Sequence, residues 1–451
     1  MSSHRRDAAE RSQGLAMNLC AACPMLCEDV EFSVKNERVV NLLHACDVGR
    51  ASLCDPNRLL RSGVVALEPQ SSTDSSARFR LVQEAASLLS SARRVLVTGI
   101  TSITLESQRR ASDIAECLGA AIDAGCLDTS IIAGPTIARI GEITASWEEL
   151  RDRADLVVLW FCDPDSTHPR FFERFIDPPC PRGSRRVLWV GTKPPVATHR
   201  GENTFIFVSA ENQIPMLQSL KAVLQQSPLE KDACCRVMLD EKSIEQLCEA
   251  FQAASCVAFV TEQASDSIGV LASERVKLVR LLSHKKSAFQ IPLGAGIHAG
   301  GGNAAGAQAL LTWRYGAPGA IEVADPFGSR SSPGESDAIR LISRREVDAV
   351  LLIGSPSESL SVALKHATST LRVVHLCDAP RPTAFSPTLT IDSADSLLAT
   401  SGTLLREDGT RVVLQAKFSS RHPTMELLLA ELLAAINAIN TLGPRTIRGT
   451  P

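Results

Sequence analysis

The alternation of apolar and polar positions divides the chain into distinct regimes. Val30-Glu31-Phe32-Ser33-Val34 alternates as a half-buried strand does, Asn36-Glu37 supplies a turn, and Arg38-Val39-Val40-Asn41-Leu42 returns. A small hairpin is expected there. From Phe79 to Ser91 the spacing becomes helical, and Val95-Leu96-Val97-Thr98-Gly99 then forms an apolar run closed by a turn residue. The same rhythm returns at Leu156–Trp160, Val187–Gly191 and Phe205–Val208, and again at Cys256–Val260, Ala288–Ile291, Ala349–Gly354 and Val373–Leu376. Continuous apolar runs between helices indicate parallel strands covered on both faces. Near the end, Asp408-Gly409 between Leu404-Leu405 and Val412-Val413-Leu414 signals a second hairpin, and Thr424–Ile439 reads as an apolar helix.

These patterns predict an α/β protein: a small N-terminal Cys-rich hairpin segment followed by two doubly wound parallel-sheet domains. The expected boundaries are a flexible N-terminus over 1–18, the Cys-rich segment over 19–66, one α/β domain over 78–228 and a second over 229–380. Residues 381–451 then supply a hairpin and helix that complete the core. Glu68 to Ala77 has the composition of a linker. A length of 451 residues exceeds what one core usually serves.

Composition narrows the function classes. The chain is 44% hydrophobic and 22% charged with a net charge of −3, which fits a globular protein and gives no basic footprint for nucleic acid. Aromatic residues are 4% with a single Tyr, too few for base-stacking platforms. No apolar run reaches the roughly 20 residues of a membrane helix, so no membrane partner is expected. The opening MSSHRRDAAERSQG lacks a signal-peptide core, and a cytoplasmic location follows as an expectation. In that compartment the 14 Cys are expected as buried thiols or metal ligands rather than disulfides.

The sharpest chemical signal is Cys20-x2-Cys23-x3-Cys27, followed by Cys46 and Cys54. Three soft ligands on one tight loop and a fourth from beyond the hairpin can hold a [4Fe–4S] cluster. Zinc is the other metal such a set admits, although zinc more often takes two separated CxxC pairs. Buried unligated thiols are the structural alternative. Either Cys46 or Cys54 can complete the set.

Two further features stand beside it. Gly294-x-Gly296-x-x-x-Gly300-Gly301-Gly302-Asn303 follows an expected strand and looks like a phosphate cradle, but its glycine spacing departs from the dinucleotide fingerprint and no P-loop Lys follows. Asp163, Asp165 and His168 lie just past the strand Leu156–Trp160, where α/β sheets place ligand-binding groups, yet Pro164 and Pro169 make the segment an ordinary rigid loop. No G-x-S-x-G elbow supports hydrolase chemistry.

Cys20-Ala-Ala-Cys23-Pro-Met-Leu-Cys27-Glu-Asp-Val30 and His44-Ala-Cys46-Asp-Val-Gly49 together resemble the opening of the B-type subunit of formylmethanofuran dehydrogenase, a relative of the molybdopterin oxidoreductases. The resemblance continues in order through Gly99–Gln108, Ile131–Pro135, Trp160–Pro164, His168-Pro169-Arg170, Gly302-Asn303, Leu310–Trp313, Ser332–Glu335 and Ser401–Asp408. It implies a molybdopterin-oxidoreductase-like fold, a [4Fe–4S] cluster on Cys20, Cys23, Cys27 and Cys46, with Cys54 as the alternative fourth ligand, and a pterin pocket bordered by Gly302 and Asn303. Two departures stand out. Leu105 occupies the position of the Cys that ligates tungsten or molybdenum, and an aliphatic side chain has no lone pair to offer. Ala133 occupies the position of a His and can move no proton.

In both respects the chain resembles the member of the bacterial formyltransferase/hydrolase complex that keeps the dehydrogenase fold without catalysing. The implied role is a non-catalytic scaffold, with no catalytic residue of its own and no molybdopterin or tungstopterin. Its implied partners are amidohydrolase-type A, C and formyltransferase D subunits, which move a formyl group from formyl-tetrahydromethanopterin to a methanofuran-like carrier and release formate. The competing expectation is an active molybdenum or tungsten pterin oxidoreductase with an atypical ligand. Leu105 is expected to be a buried core residue.

Overall fold

The computed structural model describes residues 16–35, 38–54, 64–65, 75–125, 139–194, 202–227, 240–262, 269–323, 328–367, 370–378 and 384–442. The chain forms two compact units. One comprises residues 1–126, 297–406 and 411–451, and the other comprises 127–296 and 407–410.

The first unit opens with an antiparallel sheet of strands Ala16–Cys20, Cys27–Lys35 and Arg38–Leu43. The hairpin expected from the alternation is present, with Ser33 opposite Val40. Val30 and Phe32 are buried while Glu31 and Ser33 are half-buried, as a period of two requires. The strand Ala16–Cys20 is an addition to the expected elements. It pairs Ala16 with Phe32 and buries Asn18, so ordered structure begins before the boundary placed at residue 19.

The main sheet of this unit, among the described residues, has seven strands. The order is Arg330–Ser331, Ile321–Glu322, Ala121–Ile122, Val95–Thr98, Ala349–Ile353, Arg372–Cys377 and Leu389–Asp392. The last five are parallel, Ile321–Glu322 pairs antiparallel with Ala121–Ile122, and Arg330–Ser331 pairs antiparallel with Ile321–Glu322 at the edge. Successive residues alternate between two cores. Val95, Val97, Leu351, Ile353 and Val374 share one with Leu428, Leu429, Leu432 and Ile436 of the helix Met425–Leu442. Leu96, Val350, Leu352 and Val373 share the other with Leu341 and Leu360. Side chains on both faces must be apolar, which is why these strands are continuous apolar runs. Each fully buried Leu or Ile contributes roughly 1.5–3 kcal/mol.

The second unit carries a parallel sheet in the order Ser287–Leu293, Cys256–Glu262, Leu156–Trp160, Arg186–Gly191, Glu202–Phe207. Leu156, Val158, Trp160, Val257 and Phe259 pack against Leu217, Leu247, Phe251 and Leu278 of the covering helices.

The expected division at 228/229 differs from these pairings. The strand Leu156–Trp160 is hydrogen-bonded on one side to Arg186–Gly191 and on the other to Cys256–Glu262, so segments from both sides of that division share one sheet. Val95–Thr98 pairs instead with Ala349–Ile353. The two α/β units are thus not successive: the second is inserted into the first. An apolar run reveals that a strand is buried on both faces but not which strand lies beside it.

Each sheet reverses its winding once. In the first unit the chain moves from Val95–Thr98 to Ala121–Ile122 on one side and returns as Ala349–Ile353 on the other. Open parallel sheets place ligand crevices at the carboxyl ends of strands where such a reversal occurs. Among the described residues no helix is long and apolar enough to cross a membrane.

Leu351 is fully buried in a central strand, whereas Val413 is more than half exposed on a hairpin. Leu351→Ala should lower unfolding free energy by about 2–5 kcal/mol in chemical denaturation. Val413→Ala should stay within about 0.5 kcal/mol.

Candidate functional site

The thiols lie where the N-terminal sheet turns. Cys20 ends one strand, Cys27 begins the next as its register partner, and Cys23 lies in the turn, where the Leu26 amide donates to the Cys23 carbonyl at 3.2 Å. Cys46 caps the helix Asp47–Leu53, its Sγ accepting from the Gly49 amide at 3.4 Å. A methyl group on Gly49 would stand 3.2 Å from Cys20 Sγ and 3.8 Å from Cys46 Sγ, so these two thiols face one small volume. Burial pushes the Cys23 thiol well above the usual range, and the nearby Cys27, Cys20 and Cys46 sulfurs push the same way. The structure therefore groups Cys20, Cys23, Cys27 and Cys46. Cys54 sits exposed at the far end of the same helix. Among the described residues no three His, Cys, Asp or Glu side chains converge as a single metal ion requires.

Beside this segment, at the winding reversal of the first unit, lies a cleft of about 610 Å³. Ala21, Ala22 and Ser52 of the Cys-rich segment form one wall, and Ser102, Ser355 and Asp378 lie opposite. Ser102 follows the strand Val95–Thr98, Ser355 follows Ala349–Ile353 and Asp378 follows Arg372–Cys377, so three adjacent carboxyl ends supply the floor. Asp378 is buried and accepts hydrogen bonds from Ser355 Oγ at 3.1 Å, from Ser102 Oγ at 3.4 Å and from Ser396 Oγ. Ser102 Oγ accepts in turn from the Ser355 amide at 3.1 Å. Nearby, His375 bonds through Nε2 to the Gly354 carbonyl at 3.0 Å, and burial lowers its pKa, favouring the neutral ring. Chemically the floor is rich in acceptors, and among the described residues lining the cleft there is no Lys or Arg.

The sequence pattern singles out none of Asp378, Ser355 and Ser396. The one signal is positional: Asp378 is the first charged residue after an apolar run that ends in a parallel sheet. Recognising it requires knowing that the run lies beside the reversal.

Leu105 begins the helix Leu105–Leu118, whose N-cap Thr104 accepts from the Ser107 amide at 3.4 Å. Its side chain is half-buried rather than in the core, and Ser107 and Gln108 are the residues of that turn that are buried. The core position expected for it is corrected accordingly. The next residue, Glu106, accepts from the Thr403 amide at 3.0 Å. Burial opposes its charge, but hydrogen bonds from Thr403 and Thr104 outweigh this and hold the carboxyl below its usual range. Ala133 lies outside the described residues.

Gly302 and Asn303 are buried. Asn303 Nδ2 donates to the Ile103 carbonyl at 2.7 Å, its Oδ1 accepts from the Leu405 amide at 2.8 Å, and its backbone amide donates to the Thr101 carbonyl at 2.8 Å. Gln108 Nε2 donates to its carbonyl at 3.1 Å. Both ends of the side-chain amide are engaged internally, tying the turn at 101–103 to the hairpin strand Gly402–Leu405. Gly302 packs directly on the Ala21 carbonyl.

In the second unit His168 is fully buried. Its Nε2 pairs with Glu407 Oε2 at 2.7 Å and its Nδ1 with Thr167 Oγ1 at 2.9 Å, and Trp147 meets it edge to face. Both ring nitrogens are engaged by side chains.

No family model matches the chain. It is 24% identical over 419 residues, 88% of this chain and 92% of the relative, to the B-type subunit of the tungsten-containing formylmethanofuran dehydrogenase 2 of Methanocaldococcus jannaschii. The protein of the same name from Methanococcus maripaludis is 22% identical over the same coverage. In structure the chain is similar to a chain in the crystal structure of the formyltransferase/hydrolase complex (FhcABCD) from Methylorubrum extorquens in complex with methylofuran. That match has a TM-score of 0.65 and 17% identity, and covers 84% of this chain and all of the other. The chain thus shares its fold with that protein and is similar over most of its length to the B-type subunit of formylmethanofuran dehydrogenase.

Two outcomes follow from the geometry. Asn303→Ala orphans the buried Ile103 carbonyl and the part-buried Leu405 amide, and should cost about 1–3 kcal/mol for the carbonyl and less for the amide in chemical denaturation. Glu106 titrates lower when folded than unfolded, so its stabilisation is complete above about pH 4.3 and fades as pH falls through the folded value. Glu106→Gln should therefore show a smaller stability difference between about pH 7 and about pH 3 than the native chain in urea titrations.

Proposed function

We propose that this chain is a non-catalytic scaffold subunit of a formyltransferase/hydrolase complex. In this role it assembles with amidohydrolase-type A, C and formyltransferase D subunits. The complex transfers the formyl group of formyl-tetrahydromethanopterin to a methanofuran-like carrier and releases formate. The observation that carries this reading is Leu105. By resemblance it stands where the dehydrogenase holds its tungsten or molybdenum, and a half-buried aliphatic side chain there has no donor atom. The fold shared with a chain of the FhcABCD complex supports the same assignment. A cytoplasmic location belongs to this reading.

The second reading is an active tungsten or molybdenum pterin oxidoreductase. Its support is the name shared by both curated relatives, each described as tungsten-containing. Against it stands the loss of the anchoring ligand.

A [4Fe–4S] cluster on Cys20, Cys23, Cys27 and Cys46 fits the donor set present. The sulfurs share one neighbourhood, and their spacing departs from the two separated CxxC pairs that zinc more often takes. When bound, such a group supplies cross-links that fold a short segment with a thin core, and it can also carry an electron. The chain's own residues hold the ligands in place: the paired strands fix Cys20 and Cys27, and the cap of the helix Asp47–Leu53 aims Cys46 back towards them.

Elemental analysis of the purified complex separates the readings. The scaffold predicts iron with neither tungsten, molybdenum nor pterin. Stoichiometric tungsten or molybdenum would establish the oxidoreductase instead. Cys23→Ser should strip the iron and lower the stability of the N-terminal segment, and unchanged iron content would refute the ligand assignment.

A further inference from the structure

Three consecutive glycines at the edge of the cleft each press on a different stretch of backbone. A methyl group on Gly300 would stand 2.8 Å from the Ser357 amide nitrogen, and one on Gly301 would stand 2.5 Å from Ser102 Cα. On Gly302 it would stand 2.6 Å from the Ala21 carbonyl oxygen and 2.9 Å from Leu26 Cδ2. No side chain fits at such distances. The strap therefore joins the cap of the helix Glu358–Lys365, the turn after the strand Val95–Thr98, and the loop carrying Cys20 and Cys23. Ala21, Ser102 and Ser357, the three residues it presses on, all line the cleft.

The loop end of this contact is strained. Leu26 is fully buried with φ +42°, a left-handed conformation that a branched side chain rarely adopts. Such a conformation persists only where its surroundings hold it. Two constraints meet at Leu26: the Gly302 backbone against its side chain, and the flanking Cys23 and Cys27, which fix the ends of its turn.

We propose that the Gly300–Gly302 strap is a conformational coupling device through which the metal state of the thiol set governs the order of the cleft. This rests on the reading that Cys20, Cys23, Cys27 and Cys46 hold an iron–sulfur cluster. With the cluster in place, Leu26 is clamped, Ala21 backs Gly302, and the strap holds Ser102 and Ser357 against the cleft. When the cluster is lost, the turn at Leu26 relaxes, Gly302 loses its backing, and the loosening passes along three residues to both cleft walls.

Hydrogen exchange read by mass spectrometry on the full chain tests this, comparing protein isolated anaerobically with the same protein after chelation of its iron. Faster exchange is expected in residues 20–27 and also, by several-fold, in 300–303 and 355–360. A rise confined to the Cys-rich segment overturns the proposal. In a second arm, Gly302→Ala forces Ala21 away. Reduced iron retention together with faster exchange at 101–103 is expected, and native exchange at 101–103 overturns the coupling. Should the native chain take up no iron, the cluster reading fails, while exchange in Gly302→Ala still judges the strap. Should that variant not fold, the chelation arm decides.

Discussion

Pairing between Val95–Thr98 and Ala349–Ile353 is the contact on which the first unit depends. These strands are separated in sequence by the whole of the inserted unit, and closing so long a loop costs entropy that grows only slowly with length. The cost is offset by burying both faces of both strands. The consequence reaches beyond stability. The pairing sets the carboxyl end of one strand beside that of the other, and thereby places Ser102 against Ser355 and both around Asp378. Without it there is no reversal of winding and no cleft floor.

What can be read from the sequence follows from how far each signal reaches along the chain. Elements fixed by local pattern emerge as expected: the hairpin at Cys27–Leu43, the strand Leu156–Trp160, and the hairpin around Asp408-Gly409. Strand order is not legible, because Val95–Thr98 and Leu156–Trp160 are equally apolar and nothing in either names its neighbour. The cleft inherits that limit. Ser355, Asp378 and Ser396 meet only after the sheet is assembled, and each alone is an ordinary polar residue after an apolar run. The Cys spacing is informative because its chemistry is local. The choice between Cys46 and Cys54 is not, since it depends on which end of the helix Asp47–Leu53 faces the loop.

Asn303 and Gly302 show how one motif can carry two meanings. A glycine-rich stretch after a strand suggests a loop open to a ligand. Here the glycines let three backbones approach closely, and the Asn303 amide is consumed by Ile103 and Leu405. Both uses need residues without side-chain bulk beside a hydrogen-bonding side chain, so composition alone cannot separate them. The difference lies in whether the space beside each glycine is empty or filled, and here it is filled by backbone.

On the scaffold reading, a chain without the ligand for a heavy metal that keeps a set of clustered thiols needs a reason for the asymmetry. The positions themselves supply one. Leu105 is a half-buried residue at the start of a helix whose cap, Thr104, and whose buried anchors, Ser107 and Gln108, hold without it. Its identity can drift without disturbing its neighbours. The thiols have no such freedom. Cys20 and Cys27 face one another across a strand pair, Cys23 sits in a turn whose Leu26 is strained, and Cys46 caps a helix whose Gly49 stands close to Cys20. Replacing any of them disturbs the packing around it. On the scaffold reading, the catalytic position was therefore free to change once its chemistry was no longer needed, while the thiol set stayed fixed by the fold around it.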